Sequence, residues 1–158
     1  IIDTEFVAAN NLTARATLTV LHDADDYGDF GIRSADNVVW ASDGNIYVQE
    51  DMATKLNQFG AASGRDASIW MIDPSAPDSW TQIAEINRDK LLPKGAVDEK
   101  PEKFGAWETS GIIDVTPLLP AGSPLTLLAT VQAHTLKQGP IATQKLLEGG
   151  QIVWLTKD

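Results

Sequence analysis

The chain has 158 residues, is 43% hydrophobic and carries a formal charge of −10, with an isoelectric point near 4.5. That is enough chain and enough apolar composition for one globular domain with a core. The acidic balance argues against nucleic acid or an anionic membrane surface as a partner. The absence of cysteine excludes disulfides, thiolate metal sites and a Cys nucleophile. No apolar run approaches the roughly 20 residues of a membrane-spanning helix. No signal-peptide pattern is present and the first residue is Ile, so the chain reads as a mature product or a piece of something larger.

Residues 1–10 are mixed in character. Leu12 to His22 alternates and is β-branched, which predicts a strand. The acidic run Asp23 to Asp29 has the look of a calcium loop, but its spacing is wrong and no Glu closes it, so a solvated connection is expected. Arg33 stands before the central hairpin and is expected to make a structural ion pair.

The stretch Asp36 to Asp51, DNVVWASDGNIYVQED, organises the reading. Val38-Val39-Trp40 and Ile46-Tyr47-Val48 flank the turn Ser42-Asp43-Gly44-Asn45. Asp-Gly between β-formers marks a hairpin, because the turn needs positive φ. A hairpin brings its open ends together, so Asp36, Asn37, Glu50 and Asp51 are expected to lie near one another. Four such side chains repel unless a cation or a basic group sits among them.

Met52 to Asp66 is rich in Gly, Ala, Ser and Asn and predicts a long loop. Ser68 to Asp73 and Trp80 to Ile86 are further strands, separated by Pro74 and the turn-formers Ser75 to Ser79. Four strands joined by turns make one antiparallel meander, with Trp40, Trp70 and Trp80 expected to supply much of its packing. Asn87 to Phe104 is a charged excursion whose lysines are expected to be solvated. A second, imperfect unit follows: Trp107 to Val115, a turn-rich segment from Pro117 to Pro124, then Leu125 to His134. Glu108 stands before its first apolar run, and His134 occupies the place that Asp51 has in the first hairpin. Gly139-Pro140 breaks the chain before a last strand ending Ile152-Val153-Trp154-Leu155. Repetition of one supersecondary unit suggests propeller blades, one near residues 36–87 and one near 105–157, to which residues 12–22 would add a fourth strand. The only histidines are His22 and His134, and no G-x-S-x-G elbow exists, so a Ser-His-Asp hydrolase is disfavoured. For His134 a packed or exposed structural role is favoured over metal ligation.

The runs DNVVWASDGNIYVQED, SIWMID, WETSGIIDV, VQAH and LEGGQIVWL together resemble the C-terminal part of the PhoX-like proteins, which include calcium-dependent alkaline phosphatases. The resemblance covers residues 18–156 in order. A looser likeness links the strand–DG–strand units to gluconolactonase-type and phytase-type propellers. The resemblance implies an all-β propeller of six blades, exported to the periplasm or beyond, with calcium and iron in a central channel and metal-assisted cleavage of phosphate esters. By position it places Asp36, Asn37, Glu50, Asp51 and Glu108 where the family has acidic and amide groups at the inner ends of blades, and it assigns no nucleophile. Two departures stand out. The family's iron site uses a cysteine, which this chain lacks, and 158 residues supply only two blades. The expectation is therefore part of a phosphatase-like propeller completed by further blades or by other chains. The alternative is a non-catalytic, calcium-binding or structural subunit of an extracytoplasmic complex.

Overall fold

A computed structural model describes residues 1–6, 14–52, 54–55, 58–76 and 78–157. Leu12 and Thr13 of the expected first strand lie outside the described residues, as do parts of the expected loop 52–66 and Pro77 in the turn before Trp80.

The chain is mostly β and its sheets are antiparallel, as the alternation in its apolar runs requires. Strands β1 (Ile2–Phe6) and β2 (Ala14–Leu18) form a two-stranded ribbon. Strands β3 (Ala35–Trp40), β4 (Ile46–Glu50), β5 (Ser68–Ile72) and β6 (Trp80–Glu85) form a four-stranded meander, hereafter the first sheet. Strands β7 (Trp107–Asp114), β8 (Thr126–Ala133) and β9 (Gly149–Thr156) form a three-stranded second sheet. Among the described residues no sheet closes on itself. The early strand pairs with β1 in the ribbon, and the second sheet has three strands.

The hairpin β3–β4 forms as its turn chemistry dictates. Val38 faces Val48, Trp40 faces Ile46, and Gly44 takes the positive φ of 85° that the turn needs. The pairing shifts between Ala35 and Asn37, so Asp36 is the extra residue of a bulge. Asp114 on β7 accepts from the backbone N–H of Ser42 at 2.7 Å and of Thr116 at 2.8 Å, tying this turn to the second sheet. Burial would raise the Asp114 carboxyl, but those hydrogen bonds outweigh it and hold it at about 2.

Every residue of β4 is buried, because the first sheet is covered on both faces. Tyr47 and Ile69 pack on Ile112, Leu127 and Ala129 of the second sheet. On the opposite face Ile46, Val48, Trp70 and Ile72 pack under Ile32, with Ile1, Leu21 and Trp80 alongside. Trp70 and Trp80 meet edge to face at 4.9 Å, and Tyr27 and His22 extend that aromatic group. Trp40, expected in the core, is 61% exposed because it sits on the edge strand, its indole N–H donating to the Gly44 carbonyl at 3.1 Å.

The excursion 87–104 contains one short helix, α1 (Arg88–Leu91), capped by the Asn87 side chain. Its lysines Lys90, Lys94, Lys100 and Lys103 are exposed. Arg88 is not: it lies over the Trp107 ring and is held by Asp66 at 2.6 Å and Asp98 at 2.9 Å. Asp98 also accepts from Thr135 Oγ1 at 2.5 Å, and Thr135 in turn accepts from the Trp107 indole at 2.8 Å. This network fastens the excursion to the end of the second sheet.

The acidic loop forms a kinked 3₁₀ segment over Ala24–Phe30. Asp29 accepts from the backbone N–H of Gly60 at 2.9 Å and of Ala62 at 2.8 Å, and Arg33 pairs with Asp25 at 3.5 Å. These acids brace neighbouring backbone.

Candidate functional site

Strand alternation sends adjacent side chains to opposite faces, and the end of β4 shows the consequence. Glu50 follows Ile46 and Val48 onto the face that lies under the early part of the chain. Gln49 follows Tyr47 onto the face toward the second sheet.

Glu50 is fully buried. Its carboxylate makes a two-pronged pair with Arg65 Nη1 and Nη2, the second contact at 2.9 Å. It also accepts from the Arg33 backbone N–H at 2.6 Å and the Ser68 N–H at 3.0 Å. Arg65 donates onward to the Gly31 carbonyl at 2.9 Å and lies over Trp70. The basic group required among the hairpin's acids is therefore Arg65, from the loop after β4. Both Glu50 oxygens are engaged, as a buried carboxylate requires.

Asp36 is exposed and accepts from the Asn37 side chain at 2.5 Å. Neither residue bonds to Glu50, Asp51 or Glu108. The five residues singled out in the sequence thus occupy three places: an exposed Asp36–Asn37 pair, a sealed Glu50, and a contact between Asp51 and Glu108.

That last contact is chemically the most active. Asp51 just past β4 and Glu108 on β7 meet side chain to side chain. Glu108 is half-buried, and its other neighbour is His134, Nε2 to carboxylate at 3.1 Å. His134 Nδ1 stands 2.8 Å from Glu148, which also accepts from Gln132 Nε2 at 2.7 Å. The pairing of Glu108 with Gln132 and of Ala133 with Gly149 across three strands assembles this row. Burial, then Asp51, push the Glu108 carboxyl up to about 7, although His134 pulls the other way. Burial opposes the charge on His134, but Glu148 and Glu108 outweigh it and raise its pKa. The hydrogen bonds from Gln132 and His134 lower that of Glu148.

Two side chains near the end of β4 keep buried polar atoms without partners among the described residues. Asp51 Oδ1 is one. Gln49 is another: it is fully buried, yet neither its Oε1 nor its Nε2 has a partner. Its cross-strand neighbour is Asn37, on the same face. Buried amides normally satisfy both ends. Among the described residues no group of three or more His, Asp or Glu side chains is set to hold a metal ion.

Sequence reasoning missed Gln49, Arg65, Gln132 and Glu148. Arg65 carries no signal beyond being the only Arg in its loop. Glu148 would have been found by pairing the last two strands so that Gly149 faces Ala133.

No family model matches the chain, and neither a curated protein nor a solved structure matches it.

Proposed function

We propose that this chain is a cation-binding β module, with calcium the class of ion, held at the junction of Asp51 and Glu108. One observation carries the reading: two carboxylates in contact, one of them with an unpartnered buried oxygen. A divalent ion would relieve the repulsion between the acids. All-oxygen ligation of this kind favours calcium over softer metals.

The hydrolytic reading rests on the same place. His134 touches both Glu108 and Glu148, which raise its pKa against burial, and this suits a group that takes up and releases a proton at ordinary pH. Together with the resemblance to PhoX-like phosphatases, this supports phosphoric ester hydrolysis by a larger propeller to which the chain contributes, in an extracytoplasmic location. In that setting a bound ion would polarise the phosphoryl group. With Glu108 on the ion, His134, held between Glu108 and Glu148, would hold and release the proton.

Calcium titration of the chelator-treated chain, followed by calorimetry and by melting temperature, tests the first reading. A saturable heat and a raised melting temperature are expected, both lost in Asp51→Asn and Glu108→Gln. A calcium-insensitive wild-type chain sinks it. Turnover of an aryl phosphate by the calcium-loaded chain, abolished in His134→Gln with calcium binding intact, would support the hydrolytic reading. Calcium binding without turnover leaves the non-catalytic module.

A further inference from the structure

The segment 22–33 forms no strand, and its 3₁₀ turn Ala24–Phe30 has no buried residue. Such a segment opens more readily than the paired strands beneath it. It nevertheless lies over the fully buried Glu50 and supplies two of the bonds around it. The Arg33 N–H donates to Glu50 at 2.6 Å, and the Gly31 carbonyl accepts from Arg65 Nη2 at 2.9 Å. The group that fastens the two ends of the segment to each other is His22.

The Ile32 N–H donates to His22 Nε2 at 3.3 Å, so that nitrogen carries no proton and Nδ1 carries one. Nδ1 is buried and has no partner among the described residues. The ring stacks on Tyr27 at 5.1 Å and meets Trp80 edge to face at 5.0 Å. Beside it the Asp78 N–H donates to the Leu21 carbonyl at 3.3 Å, and the Tyr27 hydroxyl donates to the Asp78 carboxylate at 3.1 Å. The clasp is thus seated on the turn before β6. A second proton on the ring would go to Nε2, where it would meet the Ile32 N–H: two donors in place of a donor and an acceptor. It would also put a charge among the rings while Nδ1–H still lacks an acceptor.

We propose that the segment 22–33 is an acid-released strap: the neutral His22 ring clasps it closed over Glu50, and protonation of that ring opens it. Burial opposes the imidazolium and lowers the His22 pKa. Asp78 on the turn before β6, and Asp23 and Asp26 on the segment itself, favour the charge, and Arg33 opposes it. Tyr27, the remaining titratable neighbour, touches the ring face to face. Opening returns His22 to about 6.5. The closed form is therefore fully favoured above 6.5 and loses that advantage as pH falls through the lower value of the closed strap. This sign is opposite to that of Glu108 and His134 on the second sheet, so the strap is read by its own amides and not by melting temperature.

Amide hydrogen exchange of the full 158-residue chain, followed by NMR from about pH 7.5 to about pH 5.5, tests this. After correction for intrinsic rates, protection of the Ile32 and Arg33 amides is expected to fall below 6.5, by up to about tenfold per pH unit. The amides of β4 should keep theirs. His22→Phe keeps a ring and His22→Gln keeps an acceptor for Ile32, but neither titrates, so both should make the protection independent of pH. The chain has two histidines, and ring-nitrogen shifts should show His22 as the Nδ1–H tautomer with a pKa below 6.5. Wild-type protection that does not change with pH overturns the proposal. So does a fall that survives in both variants, which would assign it to the neighbouring acids. A neutral His22 protonated on Nε2, or a His22 pKa at or above 6.5, overturns it even if both variants fail to fold.

Discussion

Glu50 and Asp51 are neighbours in the chain with opposite fates. Glu50 is fully buried and saturated by Arg65 and two backbone N–H groups. Asp51 points toward another carboxylate and keeps an oxygen without a partner. The difference teaches how to separate a structural acid from a candidate site. A buried charge whose lone pairs are all matched holds the fold together. A pair of acids left in contact, with a carboxylate oxygen unmatched, is costly unless something further binds.

The largest effect should come from breaking the sealed side. Arg65→Ala leaves Glu50 as a buried, unpaired charge and should cost about 3–5 kcal/mol in urea unfolding, without changing calcium affinity in any correctly folded fraction. A loss below about 1 kcal/mol would show that Glu50 is not sealed as described.

A smaller effect, of opposite character, is expected on the unsealed side. In the unfolded chain Glu108 ionises near 4.5, whereas in the folded chain it keeps its proton up to about 7. The folded state therefore binds the extra proton between those values, and stability falls as pH rises across that window. His134, also raised, acts in the same direction: its contribution is complete below 6.5 and is lost as pH rises through the higher folded value. Melting curves of the calcium-free chain should therefore show highest stability on the acid side of neutrality. Glu108→Gln should remove most of the slope and recover about 1–2 kcal/mol at pH 8. A flat wild-type profile would mean that neither Glu108 nor His134 is raised in the folded chain. Calcium, if bound there, should stabilise most at the alkaline end, where both acids are ionised.

Gln49→Leu sharpens the comparison further. Replacing an unsatisfied buried amide by an apolar group of similar size should be neutral or stabilising by about 1 kcal/mol. A destabilised variant would mean that Gln49 has a partner of its own. The smallest effect belongs to Asp36→Ala, which should fall within about 0.5 kcal/mol of wild type because the side chain is exposed at a bulge. Urea midpoints measured side by side are sufficient to detect a departure.

Local chemistry made much of the fold legible. The alternation in 12–22 and 46–48, the Asp43-Gly44 turn and the Pro and Gly breaks placed eight of the nine strands among the described residues, because turn conformation and strand period are properties of a few adjacent residues. The ribbon partner β1 went unread, since residues 1–10 lack a strong period. Of the candidate site, the expectation that acids at the hairpin's open end need a cation or a base was sound in its physics, and the base proved to be Arg65. Residues such as Arg65 and Glu148 were not legible because they come from loops and strand ends that meet the site only through tertiary packing.

By itself the sequence determined a β-rich chain with a central hairpin, an acidic surface balance and carboxylates at strand ends, since these follow from composition and from rules spanning a few residues. Only the tertiary structure decided which carboxylate is sealed and which is not. That choice depends on the bulge at Asp36, on the face to which each β4 side chain points, and on which strand of the second sheet lies opposite, and these are relations between residues far apart in the chain.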